Sequence, residues 1–350
     1  MNRNDSKNKD SPEFVRTSLA AAITLGFLSG RFYRNARLHC INLLLTYSEG
    51  CMANCAYCGL ARARRGRYEE KSFIRVQWPI YPLHEVIERL EGMENKVRRV
   101  CLSMITNQRA QRDAGTVIER VRSRTEVPLS LLASPTILED GHLRELKGKG
   151  VERIGVAIDA ATREVFQKYR GSGVNGPHDW ERYWEFFQMA LEVFGEGRVG
   201  VHLIVGLGET EEEMVRTIQK VRDLEGMTHL FSFFPEEGSI LEDLPQAPPG
   251  QYRRIQLARY LIDNNESRYG EMEFNSKGQI ISYGLSRERL GEIIETGLPF
   301  MTSGCPDREG NVACNRPYGD CIPGPDIRSY PFRPNKLDLR SIRRQLREYY

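Results

Sequence analysis

The sequence has little excess of either charge and no long hydrophobic run. Lys and Arg total 50 against 47 Asp and Glu, and this near balance argues against a general nucleic-acid binder, which usually carries a strongly basic face. The one apolar stretch near the start, residues 19–28, is too short to span a bilayer and lacks a basic lead with a small-residue cleavage site. We therefore expect a cytoplasmic protein that binds neither nucleic acid nor membrane.

Histidine is also scarce, with six residues scattered without the spacing of metal ligands. Cysteine occurs eight times, and in a reducing compartment cysteines are more often metal ligands or buried thiols than disulfides. Cys40 and Cys101 lie inside apolar runs, which indicates buried free thiols. The other six cysteines form two groups of three, within residues 51–58 and 305–321.

Short, continuous apolar runs alternate with helical patterns along most of the chain. This alternation is typical of parallel strands that are covered on both faces. The sequence therefore predicts an α/β fold, a parallel (β/α) barrel of six to eight strands, with two weaker units around 250–283 and 286–303. The predicted strands are 38–47, 98–105, 127–133, 153–159, 198–207 and 228–234, and the predicted helices are 83–95, 113–125, 139–149, 180–194 and 210–224.

We expect three parts in the chain: an N-terminal helical segment over 1–37, the barrel over 38–303 and a C-terminal extension over 304–350. A helix is predicted for residues 11–26, because Ser-Pro-Glu is a favourable helix start and glycine a plausible stop. From residue 304 onward the periodicity fades into a stretch rich in Gly, Pro, Asn and Asp.

The stretch "GCMANCAYCGL" places Cys51, Cys55 and Cys58 just after the first predicted strand. In a barrel of this kind, the loops at the carboxyl ends of the strands form the active site. The spacing lets a loop wrap around a compact inorganic cluster, and thiolates are the usual ligands of iron and sulfur. Three ligands for four irons leave one iron open to a small molecule. A structural zinc site would instead need a fourth ligand, and no histidine lies nearby in sequence.

A CxxxCxxC motif with an aromatic residue, Tyr57, before its last cysteine resembles the radical S-adenosylmethionine (SAM) superfamily. The resemblance implies a [4Fe-4S] cluster on the three cysteines, whose open iron binds the amino and carboxylate groups of SAM. Reductive cleavage, fed by an external electron donor, then gives a 5′-deoxyadenosyl radical that abstracts hydrogen from an unactivated carbon. The barrel's task is orientation and the exclusion of water.

Two further stretches resemble the SAM contacts of this family. "HLIVGLGETEEE" resembles its fifth strand, which implies that Gly206 and Glu209 lie against the adenosyl group. "AIDAATREVFQKYRGSG" resembles the fourth-strand region of biotin and lipoyl synthases, which implies that Asp159 meets the ribose and Arg170 the methionyl carboxylate. The alternative for Asp159 is a cap on the following helix.

One expected motif is missing. The superfamily often has a GGE-like motif after the second strand that holds the methionyl amine, whereas this chain has "SMITNQ". Ser103, Thr106 or Asn107 could supply a polar contact there, and the sequence does not select among them.

The extension carries Cys305, Cys314 and Cys321 in a Gly/Pro-rich setting that cannot pack as a helix or central strand. Three cysteines in such a segment indicate a metal, and the loops between them are long enough to enclose a second [4Fe-4S] cluster. The alternatives are zinc held by three thiolates and one other ligand, or a mobile reducible tail.

The extension also resembles parts of the lipoyl synthases. "IRSY" is similar to their C-terminal RSSY sequence, which implies that Ser329 is the fourth ligand of the second cluster. Ordinary lipoyl synthases carry their auxiliary cysteines before the radical motif. This chain, with "CNRP" at 314–317, resembles instead the divergent two-protein lipoyl synthases of archaea and some bacteria, whose barrel is biotin-synthase-like.

This resemblance implies sulfur insertion into an octanoyl chain, amide-linked to a lysine of a lipoyl-carrier protein or its peptide. The auxiliary cluster would be consumed as the sulfur donor, and a paralogous partner synthase would share the work. Two alternatives remain open. One is another radical SAM enzyme with an auxiliary cluster, such as a peptide-modifying maturase, and the other is a non-catalytic iron–sulfur or zinc scaffold or electron carrier.

Two basic segments suggest a place for an acidic carrier to dock. The tail over 328–350 carries a net charge of +5, and it is interpreted either as a solvated helix end or as a docking surface. The loop after the three-cysteine motif is rich in arginine and could steer the carrier to the barrel mouth. Its arginines are Arg62, Arg64, Arg65 and Arg67.

Overall fold

The structure is a computed structural model that describes residues 8–349. The strands within this range are β1 (Phe14–Thr17), β2 (Cys40–Leu45), β3 (Ser72–Phe73), β4 (Val76–Gln77), β5 (Ile80–Pro82), β6 (Arg99–Ser103), β7 (Leu129–Ala133), β8 (Val151–Asp159), β9 (Val199–Val205), β10 (Met227–Ser232), β11 (Glu273–Phe274) and β12 (Ile280–Ser282). The helices are α1 (Leu19–Thr24), α2 (Leu83–Leu90), α3 (Ala110–Arg122), α4 (His142–Gly148), α5 (Arg163–Tyr169), α6 (Trp180–Phe194), α7 (Glu211–Asp223), α8 (Pro249–Asp263), α9 (Arg287–Thr296) and α10 (Lys336–Gln345).

Six parallel strands form the centre of the molecule. They pair in chain order, β2 with β6, then β7, β8, β9 and β10. The register places apolar residues side by side, for example Ile41 with Val100 and Val156 with Val201, and these four side chains are buried. The six predicted strands are therefore confirmed, each with bounds within two residues of those expected.

The sheet continues beyond β2 in an unexpected way. β1 pairs antiparallel with β2, and β5 pairs antiparallel with β1, so that β5 and β10 are the two edges of an eight-stranded sheet. No pairing closes this sheet into a ring within residues 8–349. The predicted parallel α/β unit is confirmed with six strands, and the two weaker units instead contain α8, α9 and a separate β11–β12 hairpin.

Helices on the outside cover the strands with their apolar faces. α6 begins after Asp179, whose carboxylate caps its first turn, and it buries Phe186 and Phe187 against the sheet. α7 begins with a capping box between Thr210 and Glu213. Within residues 8–349, no helix is long and apolar enough to cross a bilayer.

The predicted helix over residues 11–26 is wrong in its first half. Residues 14–17 form β1, and the hydroxyl of Ser11 donates to the carbonyl of Phe14 and accepts from the amide of Thr46. The helix α1 begins only after Ser18, whose hydroxyl caps it. Strand pairing with β2 thus outweighs the local helix-start signal at Ser-Pro-Glu.

The C-terminal extension packs on the open eight-stranded sheet rather than apart from it. On one flank, the amides of Leu230 and Ser232 in β10 donate to the side chains of Ser303 and Asp320, at 2.8 and 3.3 Å. On the other flank, the side chain of Asn315 accepts a hydrogen bond from the amide of His39, just before β2. The extension therefore lies between β10 and the start of β2, where strand pairing does not close the sheet. The predicted boundaries at residues 37 and 303 stay predictions.

Candidate functional site

A cavity of about 240 Å³ lies at the carboxyl ends of the parallel strands and continues along the inner face of the sheet. The loop after β2 contributes Tyr57 and Cys58 to its wall, and the end of β8 contributes Asp159. Cys305 and Cys314 of the extension also line it. Residues from both predicted cysteine groups therefore face one space.

The three-cysteine loop has a defined path at the carboxyl end of β2, as predicted. The amide of Met52 donates to the carbonyl of Thr106 at 2.8 Å. Gly59 next to the last cysteine is required, because a Cβ at that position would overlap the carbonyl oxygen of Ser72. Backbone contacts of this kind fix where the three thiols lie.

The thiols of Cys51, Cys55 and Cys58 lie close together, since Cys51 influences the pKa of Cys55 and both of these influence the pKa of Cys58. Burial raises the pKa of Cys55 to about 12, and burial together with the other two thiols raises that of Cys58 well above its usual range. Three thiolates here would repel one another, and a cationic centre offsets that repulsion. Thiolate donors suit an iron–sulfur centre, so the residues present fit a cluster.

An iron–sulfur cluster and a single metal ion require different arrangements of their ligands. Within residues 8–349, no three or more His, Cys, Asp or Glu side chains are arranged to hold one metal ion. In a four-iron cluster each thiolate ligates a different iron, so the ligands need not converge on one point.

Tyr57, Asp159 and Arg170 form one hydrogen-bonded group at the cavity. The Tyr57 hydroxyl donates to the Asp159 carboxylate at 2.5 Å, and the Arg170 guanidinium donates to the same oxygen at 2.6 Å. Asp159 has a φ of 65° at the end of β8, an uncommon conformation for a residue other than glycine. The following helix is capped by Thr162, so the alternative that Asp159 caps it is wrong.

A second layer holds Arg170 in place. Its guanidinium donates to the Tyr183 hydroxyl at 3.0 Å, and that hydroxyl lies 3.0 Å from Nδ1 of His178. Burial, with Arg170 nearby, lowers the pKa of His178 to about 2, so this imidazole is neutral. Nε of Arg170 is buried without a hydrogen-bond partner among the described residues, which leaves a donor available.

Gly206 and Glu209 lie at the end of β9, as expected. The Glu209 carboxylate accepts hydrogen bonds from the amides of Gly206 and Leu207, at 2.7 and 2.9 Å, while burial raises its pKa to about 7. A Cβ on Gly206, whose φ is +108°, would lie 3.0 Å from the Cβ of Ala247. Both residues thus shape the turn, and their contact with SAM stays a prediction.

The three candidates for the methionyl amine occupy different places. Ser103 lines the cavity. The Thr106 hydroxyl pairs with that of Ser134 at 3.2 Å, and the side-chain amide of Asn107 donates to the carbonyl of Gly50 at 3.3 Å. Thr106 and Asn107 therefore support the three-cysteine loop, and Ser103 is the one with access to the cavity.

Cys305 and Cys314 are brought side by side by a narrow turn. The amide of Cys314 donates to the carbonyl of Cys305 at 3.0 Å. Gly304 has no room for a Cβ, which would overlap the carbonyl oxygen of Cys314. The turn therefore presents both thiols to the cavity.

Two thiols that the sequence reasoning left out lie against this pair. Cys40 and Cys101 lie close enough to the thiol of Cys314 to influence its pKa, and the side-chain amide of Asn42 lies 3.8 Å from Sγ of both Cys40 and Cys314. Both cysteines are free, as expected, but they are not isolated. The available signal was polarity at every second position, Cys40 with Asn42 and Cys101 with Ser103, which puts each pair on one face of its strand.

Cys321 and Ser329 lie around a buried carboxylate instead. The Ser329 hydroxyl donates to Asp320 at 2.6 Å and lies 2.7 Å from the Tyr252 hydroxyl. Burial and the adjacent Asp320 raise the pKa of Cys321 to about 12. Whether these two residues complete a metal site with Cys305 and Cys314 stays a prediction.

The fold and this cavity define a parallel α/β protein with a cysteine-rich site at the strand ends. The family model described as "Radical SAM superfamily" matches residues 45–221, about half of the chain, and this range includes the three-cysteine loop. The chain therefore belongs to the radical SAM superfamily, as its motif predicted. The family implies a [4Fe-4S] cluster and SAM as cofactors.

The curated relatives are biotin synthases. The enzyme of Polaromonas sp. is 22% identical over 303 residues, which are 83% of this chain and 83% of that protein. The enzyme of Magnetococcus marinus is 26% identical and covers 71% of this chain and 73% of its own length. The match to the Aliarcobacter butzleri enzyme, 25% identical, covers 48% of this chain and 59% of that protein. This chain is a radical SAM enzyme related to biotin synthases.

Two solved structures are also similar. The FeFe-hydrogenase maturase HydG from Carboxydothermus hydrogenoformans has a TM-score of 0.49 at 14% identity, over 70% of this chain and 55% of that chain. The methyltransferase TsrM from Kitasatospora setae has a TM-score of 0.42 at 14% identity, over 90% of this chain and 62% of that chain.

Proposed function

We propose that this protein is a sulfur-inserting radical SAM enzyme of the lipoyl synthase type, one of a pair. Its substrate is an octanoyl chain on a lysine of a lipoyl-carrier protein. One observation carries the proposal: a single cavity is lined by Cys58 of the three-cysteine loop and by Cys305 and Cys314 of the extension. A carbon held there would face a radical source on one side and a source of sulfur on the other.

Cys51, Cys55 and Cys58 would hold the family's four-iron cluster, and Tyr57, Asp159, Arg170 and the β9 turn would hold SAM beside it. When bound, this pair supplies the 5′-deoxyadenosyl radical that removes hydrogen from an unactivated carbon. The chain's own part is positioning. The Asp159 carboxylate, fixed by two donors, keeps lone pairs to accept hydrogen bonds from ribose hydroxyls.

The walls of the cavity suit an acyl chain. Aromatic and aliphatic residues line it, among them Phe73, Trp78, Ile204, Phe231 and Phe233. An unbranched hydrocarbon gains affinity by leaving water for such a surface, and the same surface keeps water away from a reactive carbon.

One polar group stands out within these walls. Arg316 lines the cavity, and its Nη1 atom is buried without a hydrogen-bond partner among residues 8–349. Burial and the nearby Arg75 guanidinium lower the pKa of Arg316 to about 10, so it remains charged at pH 7. The carbonyl oxygen of an acyl amide would accept the hydrogen bond that this atom offers.

The second cluster belongs to this proposal, with Cys305 and Cys314 among its ligands and Cys321 and Ser329 as the other predicted ones. The carrier protein would approach over the loop after the three-cysteine motif. There Arg62, Arg65 and Arg67 are exposed, while Arg64 donates to the Gly59 carbonyl and is part of the loop's own structure.

The proposal is tested with anaerobically reconstituted protein, SAM, a strong reductant and an octanoylated peptide. We expect 5′-deoxyadenosine together with a peptide that gains sulfur in place of hydrogen, both measured by mass spectrometry. Formation of 5′-deoxyadenosine with hydrogen loss but no sulfur would favour a maturase that uses its second centre differently. A failure to cleave SAM would favour a non-catalytic role.

A further inference from the structure

The inner face of the sheet is unusual for a barrel of this class. Interior positions of (β/α) barrels are dominated by bulky branched side chains. Here eight of the inward positions carry small or polar residues, and seven of these eight line the cavity together with bulkier residues such as Ile204 and Phe231. The eight small or polar residues are Cys40, Asn42, Cys101, Ser103, Ser130, Gly155, His202 and His229.

Four of the eight thiols meet on this inner face. Cys40 comes from β2 and Cys101 from β6, and the thiol of Cys314 lies close enough to both to affect their pKa values. The side-chain amide of Asn42 lies 3.8 Å from Sγ of Cys40 and from Sγ of Cys314. Cys305 lies against Cys314, and its charge influences the pKa of Cys101. Its Sγ is also 3.8 Å from Nε2 of His229. Two strands and the extension thus deliver four free thiols to one place.

Neighbouring residues fix the positions of these four thiols. The buried guanidinium of Arg99 donates to the carbonyl of Pro306 at 2.8 Å and to the hydroxyl of Ser130 at 2.9 Å, which fixes the turn that carries Cys305. A Cβ on Gly200 would lie 2.5 Å from Nε2 of His229, so only glycine at this position leaves room for the imidazole ring. Arg99 also places a positive charge near Cys40 and Cys305, where it lowers the pKa that burial raises in both thiols, and such a charge stabilises buried thiolates.

We propose that the second iron–sulfur cluster lies inside the barrel, ligated by Cys40, Cys101, Cys305 and Cys314. The inference rests on the second cluster of the proposed function and names its ligands. Cys321 and Ser329 are then not ligands, because the Ser329 hydroxyl is bonded to Asp320 and lies against the Tyr252 hydroxyl, while Cys321 lies beside Asp320. They help to hold the extension across the open side of the barrel.

The test uses a background variant, C51A/C55A/C58A, which lacks the family's own cluster, so that any remaining iron reports on the second site alone. Iron, zinc and acid-labile sulfide per chain are measured after anaerobic reconstitution, with and without Cys40→Ala or Cys101→Ala. The matched controls are Cys321→Ala and Ser329→Ala in the same background. Circular dichroism and gel filtration report on folding.

We expect the background to hold iron and sulfide, C40A and C101A to lose both, and the two controls to keep both. Iron retained in C40A and C101A, or lost in C321A or S329A, would overturn the proposal. So would a background that holds zinc or no metal. If an alanine variant fails to fold, Cys101→Ser preserves the size of the side chain. An electron paramagnetic resonance spectrum of reduced C101S identical to that of the background would then count against ligation.

This result is separable from the proposed function. A barrel-interior cluster with the expected ligands, in a protein that cleaves SAM but transfers no sulfur, would leave the site in place and remove the sulfur-insertion activity. Sulfur insertion that survives in C40A and C101A would support the proposed activity and would rule out these two cysteines as ligands of the cluster.

Discussion

Asp159 and Arg170 form an ion pair of 2.6 Å at the carboxyl end of β8, with 14% and 8% of their side chains exposed. The Tyr57 hydroxyl donates to the same carboxylate oxygen, which ties the three-cysteine loop to the strand end. The pair therefore connects the first cluster site to the predicted SAM site through two hydrogen bonds.

Replacing Asp159 by Asn should lower both stability and SAM affinity. The substitution leaves the Arg170 charge buried without its counter-charge, and removal of one partner of a buried pair costs about 3–5 kcal/mol. Chemical unfolding and equilibrium dialysis with SAM measure the two effects. The matched control, Asp223→Asn, breaks an exposed pair with Arg268, for which about 0–1 kcal/mol is expected. Equal losses of stability and of SAM affinity in both variants would show that Asp159 contributes no more than an exposed ion pair does.

Replacing Gly59 by Ala should reduce iron binding at the first cluster site without unfolding the protein. A Cβ there overlaps the Ser72 carbonyl oxygen, so the loop that carries Cys58 must move. Iron content in a variant that lacks Cys305 and Cys314 isolates the effect. Gly291→Ala, in α9 with no atom within 4 Å of the added Cβ, is the control and should bind iron normally. Full iron content in G59A would contradict the tight fit of the loop.

His178 should make the protein less stable in mild acid. Burial lowers its pKa to about 2 in the folded protein, against about 6.5 in an unfolded chain, so the unfolded chain binds a proton that the folded one excludes. The free energy of unfolding is therefore highest above pH 6.5 and falls as the pH drops below it, by up to about 1.4 kcal/mol per unit. Urea unfolding between pH 7.5 and 5.0 should show a smaller slope for His178→Asn, with the exposed His84→Asn as the control. An unchanged slope would mean that His178 is not excluded from protonation.

Reversing the charge of Arg62 and Arg65 should raise the KM for an octanoylated carrier protein. These exposed side chains are expected to attract an acidic carrier, whereas a short octanoylated peptide reaches the cavity without that surface. The KM for the peptide should stay unchanged, and added salt should reduce the difference. The exposed Arg287→Glu in α9 is the control. An equal rise for both substrates would speak against docking on this loop.

Replacing Arg316 by Met should separate activity from stability. Nη1 is buried and lacks a partner within the described residues 8–349, so removal of the charge takes away a desolvated group and should not lower the free energy of unfolding. The KM for an octanoylated peptide should rise several-fold, because the amide carbonyl loses its donor. A variant that loses stability and keeps its KM would show that the guanidinium is structural.

The sequence was sufficient to predict those parts of the structure that depend on residues close together in the chain. Continuous apolar runs predicted all six parallel strands, and the helical pattern over 180–194 predicted a helix with the observed bounds, Trp180–Phe194. The position of the three-cysteine loop followed from the order of strand and motif. In each case neighbouring residues in the chain determine the structure that forms.

The remainder depends on contacts between distant segments. Asn42 and Cys314 are 272 positions apart, and no local pattern pairs them, so Cys40 and Cys101 were assigned as ordinary buried thiols. No local pattern excludes Asp159 as the cap of α5, whereas the structure does, because α5 begins after Thr162. Likewise, β1 forms because β2 and β5 lie on either side of it, and residues 11–26 alone do not show this.

The span of the extension across the open side of the barrel has a consequence for solubility. The amide of Ser232 in the edge strand β10 donates to Asp320, a side chain, rather than to another strand. Without residues 304–349, the Ser232 amide at this edge would lose its acceptor, and unpaired groups at a sheet edge template intermolecular pairing. The cysteine-rich segment therefore also shields the protein from aggregation, and a version truncated there should precipitate even if its barrel can fold.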